Sequence, residues 1–248
     1  MKTRRLLIAA GIAVVCAGAA LAAPPAYLIN AVADPSRPAD DVKRDPDRKP
    51  AETLAIAGVK PGSTVAELLP GGGYFTRILS NAVGANGHVY GVLPAALASN
   101  PRLAPGIAKF KEFTATHPNT ELALVDFPAP MAPKPADIVF TAQNYHDFHN
   151  FPGEGWKAIN KSAFDTLKPG GIYLIVDHVS APGTGATVTN TLHRIEPSVI
   201  KTEVEEAGFK LVETSDILKD PADDHTKGVF DGSIRGKTDQ IILKFKKP

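Results

Sequence analysis

The sequence predicts an α/β protein built on a doubly wound parallel sheet, and three observations lead to this class. Short apolar runs alternate with segments of helical periodicity, a pattern typical of βαβ units. Glycine- and proline-containing turns separate these segments at regular intervals. The chain of 248 residues, 44% of them hydrophobic, is long enough for one large core and short for two full domains.

The individual elements follow in order from Ala51. The first strand is predicted at 64–69, after a Lys60-Pro61-Gly62 turn, and a helix follows whose apolar residues recur at i, i+3, i+4, i+7 and i+8 from Phe75. Helices are also expected around 154–167 and from Pro197 to a Gly208 cap. Further strands are expected at 88–93, 121–125, 137–142, 171–177, 210–214 and 239–245.

The first 22 residues are predicted to be a signal peptide. Three basic residues and no acid lie among the first five, Leu6–Ala22 is uncharged, and Ala20-Leu21-Ala22 has the small-x-small pattern of a cleavage site. We therefore expect a periplasmic or secreted protein without stable membrane insertion. A retained membrane anchor is the alternative. The Arg4-Arg5 pair has a weak likeness to a twin-arginine signal, although an ordinary basic leader explains it as well.

Residues 23–50 are predicted to be a leader or arm that precedes the main domain at 51–248. Residues 34–50 contain five acids, five bases and four prolines. Such a segment cannot form a continuous helix and has little to bury. We expect it to be an extended arm laid over the domain or a mobile leader.

Composition excludes several other classes of protein. A formal net charge of +1 leaves no basic surplus for a phosphate backbone, so nucleic acid is not an expected partner. The single cysteine cannot form an internal disulfide or a cysteine-rich zinc site. The expected partner is a small-molecule substrate.

The turn after the first strand carries the main binding signal. Pro70-Gly71-Gly72-Gly73-Tyr74 opens a helix at the carboxyl end of the strand, where parallel sheets bind ligands. Its glycines permit close approach of a ligand to the backbone. Glu67 at the strand end favours a ligand with a positive group and disfavours a pyrophosphate. Because the spacing of the three glycines also departs from the GxGxxG motif of dinucleotide-binding proteins, a nicotinamide-dependent oxidoreductase is disfavoured.

The run from Val65 to Tyr74 resembles the first motif of class I S-adenosylmethionine-dependent methyltransferases, an acidic residue followed by glycines. The Leu167–Gly171 turn is similar to a turn of the same family, and the resemblance extends from about Lys49 to the end. It is closest to an exported, little-characterised bacterial branch with Asn144-Tyr145-His146-Asp147 after the fourth strand. The resemblance implies a Rossmann-like sheet of seven strands, mostly parallel with an antiparallel last strand, and S-adenosyl-L-methionine as cofactor.

The resemblance also implies a set of cofactor-binding residues. Glu67 would serve the methionine end, and Asp126, after the third strand, would meet the adenine amino group. The glycines would permit backbone approach to the cofactor. The full predicted set is Glu67, Gly71, Gly72, Gly73, Tyr74, Asp126 and Asn144.

Histidines after the fourth and fifth strands are the candidates for catalysis. Methyl transfer needs an in-line nucleophile and often a base that removes its proton. His146 with the adjacent Asp147 is the first candidate and His178 the second. The structural alternatives are that His146 and Asp147 cap the following helix, with Asp147 bonding its first-turn N–H groups, and that Asp177 is satisfied by neighbouring amides.

Two further assignments remain open from the sequence. His193-Arg194 is either a clamp for an anionic substrate or an exposed basic pair. No metal site is predicted, since the spacing of the candidate ligands matches no compact metal motif and adjacent rings do not easily converge on one ion. These candidates are His146, His149, Asp177, His178 and His193.

The predicted function is methyl transfer from S-adenosylmethionine to an unidentified small molecule. The alternative is a non-catalytic exported binding protein that has kept the fold. It is supported by the second strand, which ends Tyr90–Pro94 without the acid that the family uses to bind the ribose. Loss of such a charged hydrogen bond would cost roughly 1.5–3 kcal/mol.

Overall fold

A computed structural model describes residues 23–248 of the chain. The predicted signal peptide, residues 1–22, lies outside the described residues. Within residues 23–248, no helix combines the length and the apolar character that a membrane span requires.

One seven-stranded sheet organises the molecule, with the order β3-β2-β1-β4-β5-β7-β6. Strand β7 runs antiparallel to β5 and to β6, and the remaining neighbours pair in parallel. The predicted fold class, including the antiparallel last strand, is therefore confirmed. The strands are β1 Thr64–Leu68, β2 His88–Pro94, β3 Thr120–Val125, β4 Ala136–Ala142, β5 Leu167–His178, β6 Lys210–Ser215 and β7 Gln240–Lys246.

Helices cover both faces of the sheet, which is why the central strands are apolar on both sides. One core joins the sheet to helices α1, α4 and α5, and the other joins it to α7 and α8. A 3-10 turn, Tyr145–Asn150, follows β4. The helices are α1 Ala26–Val32, α2 Ala39–Val42, α3 Asp45–Arg48, α4 Pro50–Ala57, α5 Tyr74–Val83, α6 Ala104–Thr114, α7 Gly155–Thr166 and α8 Pro197–Glu206.

The segment before the domain is packed and helical rather than extended. Its prolines divide it into the short helices α1 to α3, as expected for a sequence that cannot form one continuous helix. It nevertheless buries apolar surface, because Leu28 is fully enclosed in the core beside α5. Charged residues also tie it down, with Arg37 paired to Asp45 at 2.8 Å and Asp41 paired to Arg77 of α5.

Helix α6 was not predicted from the sequence. Pro105 and Gly106 lie in its first turn, where the proline is tolerated but the glycine weakens the helical signal. Tertiary packing compensates, since the buried Phe110 ring fills the space above Gly91 of β2. A Cβ at Gly91 would lie 2.1 Å from that ring, so only glycine fits there. Helix α6 also lies against the glycine turn that follows β1, because a Cβ at Gly106 would lie 3.5 Å from the backbone of Gly71.

Candidate functional site

The glycine turn lies where the strand order reverses between β1 and β4, the usual ligand position in a doubly wound sheet. The backbone of Leu69, Gly71 and Gly73 is left-handed, with φ of 50°, 56° and 84°. Leu69 is unusual there, because side chains disfavour this conformation. Asn144 stabilises the turn: its Nδ2 donates to the carbonyls of Ala142 at 2.9 Å and Leu69 at 3.3 Å.

Two cavities open on either side of this turn. The first has a volume of about 850 Å³ and the second about 580 Å³. Their common lining consists of the segment 69–72 together with Asn144 and Asp147. An elongated ligand that crosses the turn would therefore occupy both cavities and place its middle beside Asn144 and Asp147.

The first cavity is charged and contains a buried carboxylate, Glu67, and a half-buried guanidinium, Arg48. Glu67 is 4% exposed and accepts a hydrogen bond from Thr76 of α5. Burial raises the pKa of Glu67 to about 7, even though Thr76, Arg77 and Arg48 act in the opposite direction. Burial likewise lowers the pKa of Arg48 to about 10, so its guanidinium stays cationic at neutral pH. It donates to the neutral amide of Gln143 rather than to a carboxylate.

Helices α2 and α3 form the outer wall of this cavity. The hydroxyl of Tyr74 donates to Asp45 at 2.6 Å, and Asp45 is also held by the guanidinium of Arg37. The Arg48 guanidinium lies 4.6 Å from the centre of the Tyr74 ring. The segment predicted as a leader thus supplies cationic groups to the candidate site, which the sequence did not predict.

The second cavity is mainly apolar. Its polar residues include Asn100 and Arg102. Strand β2 ends in Leu93 and Pro94, so no acid lies at this strand end. Leu93 lines the cavity in its place. The aliphatic residues around it are Leu93, Leu97, Leu103, Ile107 and Leu122.

His146 faces the first cavity and is oriented by a buried acid. Its Nδ1 lies 2.8 Å from Oδ1 of Asp177, and its backbone N–H donates to Oδ2 of the same carboxylate at 2.7 Å. Burial disfavours the imidazolium, but the Asp177 charge prevails and raises the pKa of His146. Burial also opposes ionisation of Asp177, yet His146 keeps the pKa of this acid low. Asp177 also accepts a hydrogen bond from the backbone N–H of His178 at 2.8 Å. Neighbouring amides therefore satisfy part of the hydrogen-bonding capacity of this acid, as one alternative from the sequence expected.

His178 lines the same cavity but has different chemistry. Burial lowers its pKa to about 3, and its Nδ1 lies 2.8 Å from the hydroxyl of Thr238. A ring that stays neutral at every physiological pH is a poor proton acceptor. The geometry therefore makes His178 a hydrogen-bonding group and favours His146 as the base.

Asp147 does not cap a helix as one interpretation of the sequence had it. It lies inside the 3-10 turn, and its carboxylate accepts from the side chain of Asn150 at 3.3 Å. Its Oδ1 lies 3.5 Å from Nε2 of His146 and 3.5 Å from Nδ1 of His193. The fold thus brings His146, Asp147 and His193 together across 47 positions of sequence, a convergence that spacing alone did not indicate.

Arg194 is neither an exposed basic residue nor a substrate clamp. It is fully buried, and both terminal nitrogens pair with Asp223, at 2.8 and 3.0 Å. It also donates to the carbonyls of Val179 and Lys227. These partners compensate the buried charge and anchor the long loop between β6 and β7.

Eight of the ten predicted site residues line the first cavity. They are Glu67, Gly71, Gly72, Tyr74, Asn144, His146, Asp147 and His178. Gly73 instead ends the turn as the residue before α5. Asp126 is exposed and lines neither cavity, so its role at the adenine remains a prediction without geometric support.

The fold is that of class I S-adenosylmethionine-dependent methyltransferases, as comparison with solved structures shows. A SAM-dependent methyltransferase from Aquifex aeolicus is 18% identical, with a TM-score of 0.58 over 86% of this chain and 99% of its own. The glycopeptide N-methyltransferase MtfA, complexed with sinefungin, is 15% identical, with a TM-score of 0.55 over 82% of this chain and 86% of its own. The [4+2]-cyclase SpnF is 16% identical, with a TM-score of 0.57 over 82% of this chain and 80% of its own.

No protein-family model matches the chain, and no curated protein matches its sequence. The likeness is therefore one of fold, and the chemistry must be argued from the site.

Proposed function

We propose that the protein is an S-adenosylmethionine-dependent methyltransferase. The observation that carries the proposal is the glycine turn between a charged and an apolar cavity. S-adenosylmethionine has the matching division, with a charged amino-acid end, a nucleoside end and a sulfonium between them. Two of the three similar structures described above are named as methyltransferases.

The charged cavity would hold the amino-acid end. An ionised Glu67 would accept hydrogen bonds from the ammonium group, and Arg48 would pair with the carboxylate. Glu67 is buried and Arg48 is half-buried, and the hydrogen-bond partners that they have here are neutral side chains. Binding a zwitterion would give each charge the opposite charge that it lacks, which is favourable in a poorly solvated site.

The apolar cavity would hold the adenosine end. Aliphatic side chains such as Leu93 and Ile107 suit an adenine ring, and the backbone of Gly71 and Gly72 allows close approach. The ribose hydroxyls would have the polar residues Asn100 and Arg102 instead of a carboxylate. We therefore expect weaker cofactor binding than a bidentate acid would provide, by about ten- to a hundredfold.

The methyl acceptor is proposed to be a small molecule that reaches the sulfonium beside Asp147. His146 would remove the proton from its nucleophilic atom, with Asp177 fixing the orientation of the ring. Asp147 would stabilise the imidazolium that results, since its carboxylate lies 3.5 Å from Nε2. Asn144 donates a hydrogen bond to the carbonyl of Leu69 in the glycine turn. It would thereby keep the distance between the sulfonium and His146 constant.

Export from the cytoplasm is part of the proposal. Its support is the basic, then apolar, then small-x-small sequence of residues 1–22. Cell fractionation tests this directly: a shortened periplasmic or secreted form is expected, and full-length protein in the cytoplasm would contradict export.

A non-catalytic binding protein is the second candidate, and one observation favours it. No acid lies at the end of β2, where class I methyltransferases bind the ribose hydroxyls of the cofactor. Both candidates bind a ligand across the glycine turn, so they differ in turnover.

Analysis of co-purified ligand tests the binding step shared by both candidates. The purified protein is denatured, and the released small molecules are identified by mass. We expect S-adenosylmethionine or its demethylated product in the wild type and much less in Gly72→Val, whose side chain would enter the cavity. Conversion of S-adenosylmethionine to its demethylated product in the presence of small-molecule extracts would then support the enzyme over the binding protein.

A further inference from the structure

We propose that His146, Asp147 and His193 bind one divalent transition-metal ion where the two cavities meet. One ligand atom from each residue lies within 4.8 Å of the other two. Asp147 lines both cavities, His146 the first and His193 the second. An ion held by these three residues would therefore be accessible from both sides of the glycine turn.

Two of the three distances in this cluster match those between ligands of one metal ion. Oδ1 of Asp147 lies 3.5 Å from Nε2 of His146 and 3.5 Å from Nδ1 of His193. These separations are too long for good hydrogen bonds. Two ligands at metal distances of about 2.1 Å with tetrahedral angles lie about 3.4 Å apart. The carboxylate oxygen thus has both imidazole nitrogens at the spacing that a shared ion requires.

The surroundings of His146 support the same role. Metal-binding histidines usually direct their second nitrogen to a carboxylate, which fixes the tautomer and the ring orientation. His146 has this arrangement, because Nδ1 contacts the fully buried Asp177 at 2.8 Å while Nε2 points toward Asp147. Asp177 keeps the hydrogen on Nδ1, so the lone pair of Nε2 is available.

His193 is held in place by its backbone and by a neighbouring ring. Its φ of 55° is left-handed, a conformation that a histidine adopts at some cost. Its ring packs against Phe230 at 4.8 Å and stands nearly perpendicular to the ring of His146 at 5.4 Å. The next residue is the buried Arg194, whose ion pair with Asp223 anchors this part of the chain. Strain that is maintained by such an anchor is typical of functional positions.

Two imidazoles and one carboxylate suit Zn²⁺, Co²⁺, Ni²⁺ or Fe²⁺ better than Mg²⁺ or Ca²⁺, which prefer oxygen ligands. Three protein ligands leave at least one coordination position for an oxygen or nitrogen atom of a bound molecule. If the proposed methyl transfer holds, this position would bind the acceptor and lower the pKa of its nucleophilic group. With a metal bound, His146 is a ligand rather than the base. The metal site itself does not depend on the proposed function.

Titration of the purified, chelator-treated protein with Co²⁺ in the absence of S-adenosylmethionine tests the site. Visible absorption reports the coordination geometry, and elemental analysis after Zn²⁺ loading gives the stoichiometry. We expect one ion per chain. His193→Asn, which tolerates the left-handed backbone, and Asp147→Asn should each weaken binding by about a hundredfold or more, and Asp177→Asn by about ten- to a hundredfold.

The matched control is His149→Ala. His149 is also a partly buried histidine with an acid nearby, Glu203 at 3.1 Å, but it lies outside the cluster of three ligands. This variant should bind metal with wild-type affinity. Circular dichroism on each variant ensures that the protein is folded.

Two results would overturn the metal site: no Co²⁺ binding by folded wild type at millimolar ion, or equal affinity in wild type, His193→Asn and Asp147→Asn. Failure of the proposed function looks different, because a protein that binds Zn²⁺ but not S-adenosylmethionine would keep the site and lose the methyltransferase assignment.

Discussion

Glu67 is a buried carboxylate whose charge state should control cofactor binding. Burial raises its pKa to about 7, and an ionised carboxylate is required to pair with an ammonium group. Below pH 7 binding must displace a proton from Glu67. The affinity for S-adenosylmethionine should therefore fall by about tenfold per pH unit between pH 6.5 and 5, as measured by titration calorimetry. In Glu67→Gln this part of the pH dependence should disappear, and a variant with the wild-type profile would refute the role.

The same residue should reduce the stability of the ligand-free protein at high pH. Its pKa is about 7 in the fold and about 4.5 in the unfolded chain, so the fold binds the proton more tightly. Protonated Glu67 therefore stabilises the fold relative to the unfolded chain. This contribution to the free energy of unfolding is complete below pH 4.5 and is lost as the pH rises through about 7. Glu67→Gln should therefore raise the free energy of unfolding at pH 8 by about 1–3 kcal/mol, with little change at pH 4.5. Urea unfolding at both pH values measures this, and a variant destabilised at pH 8 would contradict it.

His146 is the residue on which proposed turnover depends most. His146→Asn should reduce turnover by about 10²- to 10⁴-fold while cofactor binding is kept, since the contacts proposed for the amino-acid end are made by Glu67 and Arg48. Because Asp177 outweighs burial and raises the pKa of His146, wild-type turnover should decline as the pH falls through that raised value. Cofactor binding and turnover measured separately distinguish this from misfolding. Normal turnover in the folded His146→Asn variant would exclude His146 as the base.

Some site residues were predictable from the sequence and others were not. Glu67 and the glycines belong to one short motif, and His146 follows a strand at the ligand-binding edge, so local pattern was enough. Arg48 reaches the site because the preceding helices fold back onto α5, and His193 because a loop after β5 returns to the 3-10 turn. Those contacts depend on tertiary packing, and no spacing in the sequence encodes them.

The loop between β6 and β7 depends on the ion pair between Arg194 and Asp223. Removing the arginine would leave a buried carboxylate without its partner, which typically costs about 3–5 kcal/mol. Arg194→Met should thus lower the free energy of unfolding by about that amount, measured by chemical denaturation. Lys157→Met, which breaks an exposed pair with Glu154, should change stability by less than about 1 kcal/mol. Equal effects of the two substitutions would contradict the anchoring role.

Strands were predicted more accurately than the helices that cover them. Each of the seven strands appears at its expected place, and β5 begins at Leu167, four residues earlier than expected. Buried parallel strands are continuous apolar runs, which the sequence reveals directly. Helix α6 contains glycine in its first turn, and helices α2 and α3 are short and rich in charge, so their stability comes from contacts that local propensity does not indicate.

At the scale of the whole molecule, the sheet determines where a ligand binds, and the residues around the turn determine what happens to it. The structural neighbours include proteins named for methyl transfer and one named for cyclisation, all on the same fold. The order of environments along the crevice favours methyl transfer: first Glu67 and Arg48 with neutral hydrogen-bond partners, then the glycine backbone, then an aliphatic pocket. In the proposed reaction, the His146–Asp177 pair beside the junction would supply the acid–base chemistry.

The most direct measurement is calorimetric titration of the protein with S-adenosylmethionine and with its demethylated product. We predict one site with a micromolar dissociation constant for each ligand, weakened by at least about tenfold in Glu67→Gln at pH 8 and in Arg48→Met. Lys157→Met serves as the control for a charge change away from the crevice. Absence of binding at millimolar ligand by folded wild-type protein would contradict the assignment, and the fold would then serve another ligand.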